Sequence, residues 1–176
     1  MTNFEERIKA VSKIMLILMK VFSILIIVSL ALTVVGLAGI AVSPENFSVQ
    51  FEKLNLSVNG MVPELFMGSA EKTTRLLIYF LVGNVLSLCI MMTLHKFFKQ
   101  LKKANPIANG VDVNALKTVA VVMIIRGIVL SCLNVISECF TGAFDIVNFN
   151  FMESIMGGVI LALAFLIECL INDKRK

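Results

Sequence analysis

Charged residues are scarce in this chain, which excludes an ordinary soluble domain. Asp, Glu, Lys and Arg make up 16% of the 176 residues, whereas 58% are hydrophobic. A typical soluble domain has about 25% charged residues, so the composition is that of a membrane protein. A helical span needs about 20 apolar residues. The apolar runs are long enough for four spans and leave no room for a separate soluble domain.

Metal ligands and catalytic patterns are also lacking. The chain has a single histidine, His95, and its four cysteines form no Cys-x-x-Cys pair. A zinc site needs four protein ligands, or three and a water, so we expect no metal and no other cofactor. We interpret the cysteines as small buried hydrophobic residues. No nucleophile is placed beside a base, and no phosphate-binding glycine loop occurs, so we expect no catalytic residues and no enzyme activity.

The apolar runs predict an all-α membrane protein with four transmembrane helices in one domain, residues 1–176. We place the spans at about 21–42, 75–94, 113–139 and 153–171. Residues 1–20 predict a short interfacial helix that leads into the first span. That span is too long for the apolar region of a signal peptide, so we expect an uncleaved anchor.

Two further patterns concern the segments between spans. Residues 43–74 are polar and alternate between apolar and polar positions from Phe47 to Val58, which predicts a small extracytoplasmic β-hairpin between helices 1 and 2. Pro106 should end the second helix at Asn105, and Asp112 is a candidate N-cap for the third.

Basic residues predict the orientation of the chain. Residues 1–20, the 95–117 hairpin and the C-terminal tail hold four, five and three lysines or arginines. The first outer segment, counted with the adjoining Arg75, holds three (Lys53, Lys72 and Arg75), and the second holds none. Since cytoplasmic loops carry the excess of Lys and Arg, we expect both termini on the cytoplasmic side of a bacterial cytoplasmic membrane.

Arg126 lies near the middle of the third span. A charge at the bilayer centre costs about 2.5–3.5 kcal/mol on insertion scales, so such a residue usually faces other helices. We expect a structural pairing with Asn84 or Glu168. Arg126 could instead hold an anionic ligand, gate a pathway or extend to the interface. These three residues and Asn134 form a candidate intramembrane polar cluster.

Small and polar residues recur at helical spacing on each span and predict the packing faces of the helices. They are Ser29, Thr33 and Gly36; Gly83 and Ser87; Gly127, Ser131, Asn134 and Glu138; and Gly158 and Ala162. A polar conduit could use the same residues.

The end of the second helix combines lysines with two adjacent phenylalanines. This candidate surface consists of Lys96, Phe97, Phe98, Lys99, Lys102 and Lys103. Anionic lipid headgroups are its simplest partner, and a cytosolic regulatory protein is the more specific alternative. Because the basic residues lie at the ends of apolar runs, we expect no nucleic-acid binding.

The same segment carries a resemblance. The run Phe-Phe-Lys-Gln-Leu-Lys-Lys-Ala-Asn-Pro-Ile (97–107), followed by Val-Asn-Ala-Leu-Lys (113–117), resembles the central signature of a bacterial family of uncharacterised four-span membrane proteins. Ile107 stands where the family pattern has an aromatic residue. Members of that family are often encoded beside a small Cro-type helix-turn-helix regulator. The resemblance therefore implies a regulator as partner, but it supplies no functional residues.

Two classes of function follow. The first is a non-catalytic membrane protein that senses or sequesters, by holding a cytosolic regulator at its hairpin, or that protects the envelope. The second is a small transporter or channel subunit with Arg126 in its pathway. The first span lacks the buried carboxylate of a proton-coupled small multidrug exporter, which counts against that version. The ligand, the trigger and the presence of a homo-oligomer stay open.

Overall fold

The computed structural model describes residues 3–44, 46, 70–104, 112–141 and 151–173, and the described part is helical. The helices are α1 (Asn3–Val42), α2 (Ala70–Lys103), α3 (Val113–Thr141) and α4 (Phe151–Asp173). Each is long and apolar enough to cross a membrane. The described residues therefore confirm a helical fold with four helices that are long and apolar enough to span a membrane, whereas the alternating segment of the predicted β-hairpin, residues 47–58, lies outside them.

The helix boundaries follow local signals in the sequence. The backbone amide of Ala115 donates to Asp112 Oδ1 at 3.0 Å, so Asp112 caps α3 as predicted. The helix α2 ends at Lys103, three residues before Pro106. At the N-terminus, the predicted interfacial helix and the first span form one continuous 40-residue helix, because no proline or glycine interrupts the chain between them.

The outer faces of the helices are apolar. Large side chains such as Leu32 and Val35 are 67% and 65% exposed. An apolar surface of this extent is unfavourable in water and suits contact with lipid chains. Three cysteines, Cys89, Cys132 and Cys169, are exposed on these faces. Our expectation that the cysteines are buried is wrong for these three, since an apolar residue in a membrane need not lie inside the protein.

The chain divides into two compact units, residues 1–26 with 86–176, and residues 27–85. In the second unit, Thr33 and Gly36 of α1 are buried, and so is Gly83 of α2. These residues belong to the faces that the small-residue spacing predicts, and their small side chains let helices approach closely.

In the first unit, α3 and α4 pack along each other and run antiparallel, since contacts late in α3 fall early in α4. Gly127 and Ser131 of α3 are buried as predicted. The prediction for α4 is wrong: Gly158 and Ala162 are exposed, and Gly157 and Ala164 are buried instead. A shift of one residue turns a helix by about 100°, so the adjacent glycines point to different surroundings.

Candidate functional site

One face of α4 carries both acidic residues of the site. Glu153, Gly157, Ala164 and Glu168 recur at i, i+4, i+11 and i+15, which places them on one side of a helix with 3.6 residues per turn. This side faces α3, because Glu153 and Glu168 both form ion pairs with basic residues of that helix. The helix α3 thus contributes two cations and α4 two anions.

Arg126 pairs with Glu153. The guanidinium Nη1 donates to Glu153 Oε1, and both side chains are partly buried, at 23% and 32% exposed. Arg126 thus has its partner on another helix, as expected, but the partner is Glu153 rather than Asn84 or Glu168. Glu153 stands at the start of the fourth apolar run, where an acidic side chain is usually interpreted as a helix-end residue.

Glu168 pairs with Lys117. Lys117 Nζ lies 2.7 Å from Glu168 Oε2 and 4.4 Å from the centre of the Phe165 ring, so the ammonium combines an ion pair with a cation–π contact. Arg126 lies nine residues beyond Lys117 along α3, a rise of about 14 Å. In the antiparallel register, Glu168 is therefore level with the lysine rather than with the arginine.

Asn84 also has a partner of its own. Its side-chain amide donates to Ser29 Oγ at 2.8 Å and joins α1 to α2. The side chain of Asn134, the fourth member of the predicted polar cluster, lies outside the described residues. The cluster therefore resolves into separate contacts, Arg126–Glu153, Lys117–Glu168 and Asn84–Ser29.

We expect the Asn84–Ser29 bond to contribute modestly to stability. Interhelical side-chain bonds in membrane proteins average about 0.6 kcal/mol. Asn84→Leu and Ser29→Ala should each lower the free energy of unfolding in detergent, and the double variant should lose less than the sum. If the loss in the double variant equals the sum of the two single losses, the two side chains are not coupled.

Backbones approach closely between the two ion pairs of the first unit. A Cβ atom added at Gly157 would lie 2.8 Å from the carbonyl oxygen of Ala120 and 2.8 Å from Ile124 Cγ1. One turn earlier in α4, the Ser154 hydroxyl donates to the Ile124 carbonyl at 3.3 Å. Glycine is thus required at position 157 for the helices to bring their charges together.

An apolar cavity of about 400 Å³ lies beside α3 and the start of α4. It is lined by Gly127, Ile128, Ser131, Cys132, Val135, Ile136 and Ser154. Ser131 Oγ donates to the Gly127 carbonyl at 2.7 Å, within its own helix. The described residues of its lining include no charged side chain, and they suit an apolar group better than an anion.

The two phenylalanines at the end of α2 pack against other side chains of the protein. Phe97 is 9% exposed and forms a buried cluster with Leu101 and Ala115, against which Phe98 packs. The two rings meet edge to face, with centroids 5.3 Å apart. Both rings are among the residues predicted to contact a partner, but packing leaves little of the Phe97 surface accessible.

The lysines at the end of α2 point outwards instead. Lys96, Lys99, Lys102 and Lys103 are all exposed. Some of them share a second cavity, of about 420 Å³, with residues of α1. This lysine cavity is lined by Lys13, Leu16, Ile17, Lys20, His95, Lys99, Lys102 and Lys103.

The described residues contain no group of three or more His, Cys, Asp or Glu side chains that could hold a metal ion. No family model, curated protein or solved structure matches the chain.

Proposed function

We propose that this chain is a non-catalytic multi-pass protein of a bacterial cytoplasmic membrane that holds a cytosolic regulatory protein at the lysine-rich end of α2. The observation that carries the proposal is the outward display of four lysines, Lys96, Lys99, Lys102 and Lys103, beside a phenylalanine that packs inwards. Charge of one sign steers an oppositely charged partner to its site. The regulator should therefore present an acidic surface.

The orientation in this proposal follows from the distribution of basic residues. The N-terminal segment, the 95–117 hairpin and the tail together hold twelve lysines and arginines, and the outer segments hold three. Both termini and the lysines of α2 then face the cytoplasm, and the predicted hairpin, residues 47–58, lies on the extracytoplasmic side. The resemblance of residues 97–107 to a four-span family often encoded beside a helix-turn-helix regulator supports the same choice of partner.

Transport through the Arg126 region has less support. A pathway for an anion would use the positive charge of Arg126, but Arg126 already forms an ion pair with Glu153. The nearby cavity is lined by apolar and small residues and contains neither Arg126 nor Glu153. These contacts favour a structural role for Arg126, and the transporter is kept as the alternative that the experiments below address.

Photocrosslinking in living cells tests the docking proposal. A photoreactive amino acid at Gln100, which is exposed among the lysines of α2, should give a covalent adduct with a cytosolic protein. Lys99→Glu with Lys102→Glu should reduce the adduct at least tenfold, because reversed charge repels an acidic partner. Mass spectrometry of the adduct identifies the partner.

The matched control places the same photoreactive group at Leu32, an exposed apolar position in the second half of α1, where only lipid should be labelled. Arg126→Leu should leave the Gln100 adduct unchanged. An adduct at Gln100 that contains lipid alone, or one that survives charge reversal, would contradict the docking proposal. Loss of the adduct in Arg126→Leu alone would favour the transporter.

A further inference from the structure

The lysine cavity concentrates positive charge without an opposite charge of its own. Five lysines and one histidine line it, together with Leu16 and Ile17, and no acidic residue is among the lining residues that the structure describes. The ion pairs formed within the described residues are Arg75–Glu71, Lys117–Glu168 and Arg126–Glu153. None of them uses a lysine of the cavity, so the cavity is suited to an anion from outside the chain.

The depth of the cavity matches the headgroup region of a bilayer. Counting from the far ends of the membrane-spanning segments, Val42 to Lys20 and Thr73 to His95 each cover 22 residues, or about 33 Å of helix. The hydrocarbon core is about 30 Å thick. With Val42 and Thr73 at the opposite boundary of the core, Lys20 and His95 would therefore lie at the near boundary.

The other basic residues of the cavity extend beyond that boundary. Lys13 lies two turns before Lys20 on α1, and Lys103 lies just over two turns after His95 on α2. At about 1.5 Å per residue, these steps are about 10 and 12 Å. They cover the polar layer in which lipid phosphates lie.

We propose that the lysine cavity binds the phosphate group of an anionic phospholipid. The lysines neutralise the phosphate, while the acyl chains lie along the apolar surface of α1. That surface begins inside the cavity with Leu16 and Ile17 and continues through Val21, which is 49% exposed.

The apolar lining distinguishes a phospholipid from a free anion. Inorganic phosphate would use the lysines but would leave Ile17, which is 57% exposed, in contact with water. A phospholipid satisfies both kinds of lining residue at once. The lipid site needs no cytosolic protein, but it shares Lys99, Lys102 and Lys103 with the docking surface. The test below therefore changes Lys13 and Lys20 of α1, which the docking proposal does not use.

Lipid titration of the purified full chain tests the site. Phosphatidylglycerol is added to the protein in a neutral detergent, and bound lipid is counted by native mass spectrometry. A lysine near an anionic surface contributes about 1 kcal/mol, or about fivefold in affinity. Lys13→Gln with Lys20→Gln should therefore weaken binding about 30-fold, whereas Lys13→Arg with Lys20→Arg should retain it, since arginine also binds phosphate.

Arg7→Gln with Lys9→Gln is the matched control, because it removes two positive charges from the same helix outside the cavity lining. This variant should change the affinity less than threefold, and phosphatidylcholine should not bind at the site. Equal losses in the two glutamine variants would show diffuse attraction and overturn the proposal. Displacement of phosphatidylglycerol by an equal concentration of inorganic phosphate would overturn it in favour of a free-anion site. Phosphatidylglycerol affinity at the wild-type level in the Lys13→Gln with Lys20→Gln variant would also overturn the proposal.

Discussion

Replacing Arg126 alone is expected to destabilise the protein by about 3 kcal/mol, because the carboxylate of Glu153 is then left without its cation in a partly buried position. Glu153 Oε2 is buried and has no hydrogen-bond partner within the described residues, so the carboxylate depends strongly on Arg126. Removing both charged groups leaves no unpaired carboxylate in this partly buried position. Arg126→Leu with Glu153→Leu should lie within about 1 kcal/mol of the wild type.

The measurement is a double-mutant cycle on the free energy of reversible unfolding in detergent. The exposed pair Arg75–Glu71 on α2 is the matched control, since Glu71 is 74% exposed and the residues are one turn apart. Such a pair on a single helix contributes at most about 0.5 kcal/mol, so its cycle should show little coupling. Additive losses in the Arg126–Glu153 cycle would mean that the arginine acts elsewhere, and the transporter would regain support.

The same cycle separates stability from docking. If Arg126 has a structural role, the double variant should regain stability, and both it and Arg126→Leu should keep the photocrosslink at Gln100. A stable double variant that loses the crosslink would place Arg126 in the functional pathway. This outcome is informative because Gln100 and Arg126 lie on different helices, α2 and α3.

The number and approximate extent of the helices follow from sequence because they depend on local properties. A run of apolar residues is long enough to span a bilayer or it is not, and Asp112 and Pro106 act on their immediate neighbours. The choice of ion-pair partner, in contrast, does not depend on local sequence. It depends on the register of α3 against α4, which aligns Lys117 with Glu168 and Arg126 with Glu153.

A signal for this register was nevertheless present in the sequence. Glu153 and Glu168 are 15 residues apart, and Lys117 and Arg126 are nine apart. Because the two acidic residues are farther apart on α4 than the two basic residues are on α3, the side chains of each pair must extend along the helix axes to meet. Arginine and lysine have flexible stems of the required length. Periodicity could therefore have suggested Glu153 as a partner, but only the packed structure fixes the pairing.

The adjacent glycines of α4 show the limit of pattern analysis more clearly. The spacing of Gly158 and Ala162 is that of a small-residue packing face, yet both are exposed. Gly157 belongs to the face of Glu153 and Glu168, where the charged residues require contact with α3. The position of the charges, rather than small size alone, identifies the glycine at the interface.

This difference leads to a sharp prediction. Gly157→Ala should destabilise the protein by about 2 kcal/mol, in the range typical of overpacking. The added methyl group would lie 2.8 Å from the Ala120 carbonyl oxygen. A backbone atom within a helix cannot move aside as a flexible side chain can, so α3 and α4 would have to separate. Gly158→Ala should leave stability unchanged or raise it slightly, because its methyl group meets nothing within 4 Å and alanine favours the helix.

Unfolding in detergent compares the two alanine variants, which differ by one position in the same helix and by the same methyl group. The loss in Gly157→Ala should be smaller in the background of Arg126→Leu with Glu153→Leu. Separation of α3 from α4 also weakens the ion pair, and that background has no ion pair left to weaken. Equal stabilities for the two alanine variants would contradict the close approach at Gly157. A loss of the same size in both backgrounds would show that the glycine and the Arg126–Glu153 pair act independently.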